Sequence, residues 1–226
     1  MPLRRPVITG TGIVSAAGCG VGQVWDSLRS GRAGLGPLTL FPSTRYAHQL
    51  VGQVREDMDR LAGPVRGSRS DKLIWSAAKE ALLAAGFADG CPSLAPGRIG
   101  VAIGSTVGGM LGTERWLAGV LRDQRHRFGP LRFHSCASSA NLCARQMGAT
   151  GPCLTVSNAC AAGAMALAMA ARMIENGETD LVLAGGGDSL ARLTLNGFGS
   201  LLLLDPEGCR PFDARRTGIS LGEGAG

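Results

Sequence analysis

The residues after Cys160 carry no charged side chain until Arg172, and an apolar run, Pro152-Cys153-Leu154-Thr155-Val156, leads into them. A helix that is apolar all round has no face to offer water, so it belongs inside a core. Here a short strand (CLTVS) turns into such a helix over 161–175, and a second apolar strand, DLVLAGGG, follows at 180–187. Strand, buried helix and strand in succession demand a layered α/β arrangement.

The same alternation extends along the chain. Residues 6–15 (PVITGTGIVS) read as a buried strand ending in a turn. Val21, Val24, Trp25 and Leu28 recur at helical spacing over 21–30, and Gly31 is the stop. The stretch 32–69 reads as loops with a short strand near Leu50–Val54. Ser70 and Asp71 read as the cap of a helix through KLIWSAAKEALLAAGF, with Leu73, Trp75, Ala77, Ala78 and Leu82 on one face. RIGVAIGS at 98–105 is a strand, TVGGMLGTERWLAGVLRD a glycine-rich turn entering a helix, and 138–147 another short helix. The pattern predicts a parallel or mostly parallel sheet with helices on both faces. The final GISLGEGAG begins as a strand and stops at Gly226. An unpaired sheet edge is expected there, and with it a truncated chain or a separately supplied second half.

Composition narrows the function. Aromatics are only 4% while glycines number 35, which favours close backbone packing over a β-sandwich. The net charge of +6 comes from scattered arginines, grouped at Arg4-Arg5, Arg122-Arg125-Arg127 and Arg215-Arg216. Without a long basic block or interleaved aromatics, nucleic-acid binding is not expected; an acidic protein partner or a phosphate-bearing substrate fits this charge. No apolar run reaches the ~18 residues of a membrane span. The N-terminus lacks a signal-peptide pattern, so a reducing, cytoplasmic setting with free thiols is expected. The seven cysteines include no CxxC pair, so no metal is expected. Gly10-x-Gly12 lacks the third glycine of a dinucleotide fingerprint, since Ser15 stands there.

One thiol stands apart. Cys160 sits where strand becomes helix, and the head of a helix has free N–H groups and the positive end of the helix dipole. A thiolate is stabilised there, below the free value of about 8.5. A sharp strand-to-helix turn pushes the side chain outward, as in nucleophile elbows. Ala161, Ala162 and Gly163 leave room for a substrate, and the same N–H groups offer an oxyanion site. Cys136, Cys143 and Cys153 have no such placement and read as small core residues. His48, His126 and His134 read as loop or surface positions.

The segment VSNACAAGAMALAMAARMIENGETDLVLAGGGDS, followed by GFGSL and CRPFDARRTGISLGEGAG, resembles the β-ketoacyl-[acyl-carrier-protein] synthase family of the KAS I/II type. VITGTGIVSAAG and RIGVAIGSTVGG match it as well, so the likeness covers nearly the whole chain. It implies a thiolase-like fold, in which two βαβαβαββ halves sandwich buried central helices. Residues 1–226 would be the N-terminal half, with the C-terminal half absent and helix 161–175 the central helix. Cys160 would accept an acyl group from the phosphopantetheine arm of an acyl carrier protein. Decarboxylation of malonyl-carrier protein and a Claisen condensation would follow, in fatty acid or polyketide biosynthesis. No cofactor is implied, because substrates arrive on the carrier arm.

The resemblance also places Val107 and Phe198 along the acyl pocket. It implies a homodimer, or a heterodimer with another synthase subunit, joined edge to edge through CLTVS. The family's two catalytic histidines and its lysine belong to the second half. Asn158 replaces a common threonine, and Thr217 replaces an aspartate that often follows the arginine, which predicts a weakened salt link. Asp188 and Asp213 read as turn-forming residues, and Glu223 as buried and satisfied. A chain-length-factor-like partner subunit fits less well, because such subunits usually lack the cysteine. A thiolase-type acyltransferase would carry its cysteine much nearer the N-terminus. A thiol hydrolase or redox sensor would want a local histidine or a resolving cysteine.

Overall fold

A computed structural model describes residues 4–87, 93–122 and 128–226. Arg125, His126 and Arg127 lie outside the described residues. The chain opens with two minimal strands, β1 (Val14–Ser15) and β2 (Gly18–Cys19), and helix α1 (Val21–Arg29). Strands β3 (Gly36–Pro37) and β4 (Leu50–Val51) form a separate ribbon. Helices α2 (Met58–Ala62) and α3 (Arg69–Ala84) precede strand β5 (Ile99–Gly104). Helices α4 (Met110–Val120) and α5 (Ala137–Met147) follow, then β6 (Cys153–Val156) and α6 (Ala162–Glu175). The chain closes with β7 (Leu181–Asp188), α7 (Arg192–Ser200) and β8 (Gly224–Ala225). Among the described residues no helix is long and apolar enough to cross a membrane.

The main sheet runs β2-β1-β8-β7-β5-β6. β5 pairs in parallel with both β6 and β7, whereas β8, β1 and β2 join antiparallel. The long strands are therefore the parallel ones, and short flanking strands make the sheet mixed. The β5 sequence, Ile-Gly-Val-Ala-Ile-Gly, explains the layers, because alternate strand residues face opposite sides. Ile99, Val101 and Ile103 pack into a core with Leu73, Ile74 and Trp75 of α3 and Leu142, Cys143 and Met147 of α5. On the other face Ala102 meets Ala166 and Ala170 of α6, flanked by Val156, Val182 and Ala184. Large residues fill one side of the sheet, and small ones let α6 lie close on the other.

The α3 helix begins earlier than its sequence suggests. Ser68 is the cap: its Oγ accepts from Asp71 N–H at 3.1 Å, and Asp71 accepts from Ser68 N–H at 2.7 Å. This reciprocal pair is a capping box. Ser70 instead lies in the first turn, fully buried, and donates to the Gly108 carbonyl at 2.6 Å.

Three expectations are corrected, and α1, a helix as expected, buries less than its apolar spacing suggests. Residues 6–13 form no strand, and Val7 and Ile8 are 76% and 81% exposed. The segment lies with its backbone on α3, where a Cβ at Gly12 would overlap the Ala77 carbonyl. On α1 only Val24 and Ser27 are buried, while Val21, Trp25 and Leu28 face outward. Helix α6 is buried along Ala162, Ala166, Ala170 and Met173 only; Met165, Leu167 and Met169 are exposed on its outer side. Strand β8 is not an edge, since it pairs with β1 on one side and β7 on the other. The edges of the main sheet are β2 and β6.

Candidate active site

Between β6 and α6 the residues Ala159–Ala161 form a 3-10 turn. Ala159 has a φ of 44°, in the left-handed region that residues with a Cβ seldom occupy. This local reversal turns the chain from strand into helix and leaves the next residue, Cys160, exposed. Cys160 thus stands in the turn that runs into α6, just ahead of the first α-helical residue. The Ala161 N–H donates to the Asn158 carbonyl at 3.0 Å, and the Ala162 N–H donates to the Ala159 carbonyl. Those two amides, expected to be free for an oxyanion, are spent inside the turn. Among the described residues the Cys160 N–H has no acceptor.

Cys160 opens onto a cavity of about 390 Å³. Its floor is backbone: Gly104 at the end of β5, Gly185, Gly186 and Gly187 of β7, and Gly226. Ala162, Gly163 and Leu167 of α6 form the helical wall. The floor depends on absent side chains, since a Cβ on Gly186 would stand 3.0 Å from Gly163 Cα. The parallel strands β5 and β7 deliver their C-terminal ends to this point, the usual position of ligand crevices in α/β sheets.

Asp188, also in the cavity wall, organises the loop after β5. Its carboxylate accepts from Ser105 Oγ at 2.6 Å, Val107 N–H at 2.8 Å and Thr106 N–H at 2.9 Å. Asp188 is therefore the turn-forming residue that the sequence suggested, and it sets the path of the loop beside Cys160. Val107 is half-buried in that loop, and Phe198 is half-buried on α7. Neither lines the Cys160 cavity.

The other thiols differ in setting. Burial pushes the Cys143 thiol up to about 12; burial, reinforced by Glu56, does the same for Cys19. Burial also raises the half-buried Cys136 thiol. Cys153, read as a core residue, is instead exposed on edge strand β6. His48 is exposed, and His134 Nδ1 lies 2.8 Å from Thr113 Oγ1.

The carboxylates read as structural are so. Asp213 accepts from Arg215 N–H at 2.8 Å. Glu223 is buried against Arg69. Thr217, in place of the usual aspartate, donates to the buried Asp205 at 2.7 Å. That hydroxyl, with Arg210 behind it, holds the Asp205 carboxyl below the usual carboxylate range. Sequence reasoning missed the left-handed Ala159 and the glycine floor. The run of three glycines closing β7 was the available signal for the floor.

A family model described as "Beta-ketoacyl synthase, N-terminal domain" matches residues 4–226. The chain is 31% identical to the 3-oxoacyl-[acyl-carrier-protein] synthase 2 of Coxiella burnetii, over 100% of this chain and 57% of that protein. The structure of the ishigamide ketosynthase/chain length factor superposes with a TM-score of 0.90 at 28% identity, over 99% of this chain and 57% of that one. A type II polyketide synthase acyl-carrier protein in complex with its hexaketide-bound ketosynthase gives 0.82 at 25%, over 99% and 57%. The chain thus spans a little over half the length of the relatives it matches. An exposed cysteine on a left-handed elbow, above the glycine-lined ends of parallel strands, accompanies these matches, and the chain belongs to the β-ketoacyl synthase family, with a thiolase-like fold.

Proposed function

We propose that the chain supplies the nucleophile-bearing part of a β-ketoacyl-[acyl-carrier-protein] synthase acting in fatty acid or polyketide biosynthesis. The Cys160 thiolate attacks the carbonyl carbon of an acyl thioester on the phosphopantetheine arm of an acyl carrier protein. The bond to the arm's sulfur breaks, and the arm leaves with the proton that Cys160 gave up. A malonyl thioester on a second carrier then loses carbon dioxide, and the resulting carbanion attacks the Cys160 thioester. A β-ketoacyl carrier is released and the Cys160 thiolate is restored. The free Cys160 N–H supports the oxyanion of each tetrahedral intermediate.

The observation that carries this reading is the exposed Cys160 at the mouth of the cavity floored by Gly104 and Gly185–Gly187. The histidines and lysine that assist decarboxylation come from the remaining length of the synthase, which covers the exposed outer face of α6. This chain alone stops at the acylated thiol. Edge strand β6 offers its free side to a second synthase chain, identical or not. The acyl chain extends past Cys160 toward Val107 and Phe198 only once those other parts complete the pocket.

The test is acylation by a hexanoyl thioester of phosphopantetheine, followed by peptide mapping. One acyl group on the Cys160 peptide, lost in Cys160→Ala, is the expected result. Preferential acylation of Cys153 or Cys209, or a carbon–carbon bond formed by this chain alone, would overturn the reading.

A further inference from the structure

We propose a second binding site, for a phosphoryl group, between the loop at 41–45 and the start of α7. A cavity of about 160 Å³ lies there, and it shares no lining residue with the Cys160 cavity. Pockets for drug-sized ligands run from about 300 to 1,000 Å³, so this one suits a small group. Its polar lining is Ser43, Thr44, Arg45, Arg192 and Asn196, with no carboxylate among the lining residues.

The two arginines are held without being used. Arg192 Cζ lies 5.1 Å from the centre of the Phe41 ring, and Arg45 Cζ lies 5.5 Å from that of Tyr46. Stacking on an aromatic face steadies a guanidinium while leaving its N–H fork open. Among the described residues neither side chain makes an ion pair or a hydrogen bond, whereas Arg69, Arg98 and Arg210 each hold a carboxylate. The neighbouring Arg115 is tied to the Leu40 carbonyl at 3.1 Å.

The Glu114 carboxylate lies against the start of α7. It accepts from the Arg192 and Leu193 N–H groups at 3.0 and 2.7 Å, so it caps α7 and occupies those amides. The first two amides of α7 are therefore not available to an anion in the cavity. The Ser43 Oγ accepts from the Tyr46 N–H at 3.2 Å, which leaves its own O–H free to donate. Two guanidinium groups, two hydroxyls and an amide line the cavity, more donors than the two oxygens of a carboxylate can use. That suits a tetrahedral phosphoryl group better than a flat carboxylate.

Calorimetric titration of the full chain with inorganic phosphate, against chloride at equal ionic strength, tests the site. Saturable phosphate binding is expected. At least tenfold weaker binding is expected in the double variant Arg45→Gln/Arg192→Gln and in Asn196→Asp, with Arg215→Gln unchanged. Asn196→Asp keeps both stacked arginines, so it reports on the charge of the cavity even if the double variant folds poorly. A parallel titration with 4′-phosphopantetheine separates the sources. Tenfold tighter binding assigns the site to a phosphate ester of that arm, and equal binding assigns it to free phosphate. Phosphate binding no stronger than chloride, or unaltered in Asn196→Asp, would overturn the site and leave the acylation of Cys160 untouched.

Discussion

Arg69 and Glu223 form a two-pronged ion pair: Nη2 lies 2.6 Å from Oε1 and Nε lies 2.9 Å from Oε2. The Glu223 side chain is wholly buried and also accepts from Val54 N–H at 3.0 Å and Leu190 N–H at 3.1 Å. One carboxylate thus ties the first residue of α3 to the chain after β4, the chain after β7 and the approach to β8. The arrangement fixes four segments that meet near the end of the sheet bearing Asp188.

The two partners are not equivalent, which gives the first prediction. Glu223 has no route to water, while 16% of the Arg69 side chain is exposed. Arg69→Met strands a buried charge and is expected to lower the unfolding free energy by about 3–5 kcal/mol. Glu223→Gln keeps a hydrogen-bond acceptor and lets Arg69 turn outward, so about 1–3 kcal/mol is expected. Urea denaturation of both variants checks the order; the reverse order would mean that Val54 and Leu190 satisfy the carboxylate unaided.

Gly104 is the second case. A Cβ there would overlap the backbone of Ala162 and stand 2.6 Å from Gly163 N, so Gly104→Ala must push the start of α6 off the sheet. Overpacking of this kind destabilises by about 1–3 kcal/mol. Misplacing a reacting group by an ångström slows chemistry by about a hundredfold, so Cys160 acylation should fall further than stability does. Gly22→Ala is the control: nothing lies within 4 Å of that Cβ in α1, and the exchange favours the helix by about 1 kcal/mol. Melting curves and acylation rates for the pair separate close approach from glycine content.

These residues also show how far the sequence is legible. Strands β5, β6 and β7 and helices α3, α5 and α6 were all readable, because their apolar periods reflect burial within this chain. The segment at 6–13 and the outer faces of α1 and α6 misled for the complementary reason: an apolar pattern records that a surface is to be covered, not what covers it. Cys160 was findable from its place between strand and helix. Ala159 was not, since nothing in an alanine announces a positive φ. The link from Arg69 to Glu223 spans most of the chain, so local reading identified the buried carboxylate without its partner.

Asp180 gives a pH prediction. It pairs with Arg98 at 2.7 and 2.8 Å and with Arg4 at 2.7 Å. Hydrogen bonds from Arg98 first, then Arg4, hold its carboxyl well below the usual carboxylate range. A depressed native value means that this stabilisation is fully present above the unfolded value of about 3.9 and is lost as pH falls below it. The melting temperature of wild type should therefore exceed that of Asp180→Asn near neutrality, and the gap should begin to narrow below about pH 4 and keep narrowing as pH falls toward the depressed native value. With 38% of the Asp180 side chain exposed, added salt should shrink the gap as well. A gap that is constant from neutral to acid pH would show that the arginines pack against Asp180 without sensing its charge.

The left-handed Ala159 permits a prediction whose sign is decided by two opposing terms. A residue with a Cβ loses about 1–2 kcal/mol in that conformation, and glycine avoids this loss. Glycine also loosens the unfolded chain, which offsets about 0.4–1 kcal/mol. The balance favours Ala159→Gly by about 0–1.6 kcal/mol. Ala159→Val, with a branched side chain in the same conformation, should lose stability. Function should move the other way from stability in the glycine variant. The elbow holds the Cys160 thiol over the cavity because its turn is tightly fixed, and a glycine at its base widens the range of positions the thiol visits. Urea denaturation beside the initial rate of Cys160 acylation reads both quantities. A glycine variant that is less stable than wild type, or that is acylated faster, would mean that the turn at Ala159 neither stores strain nor positions the sulfur.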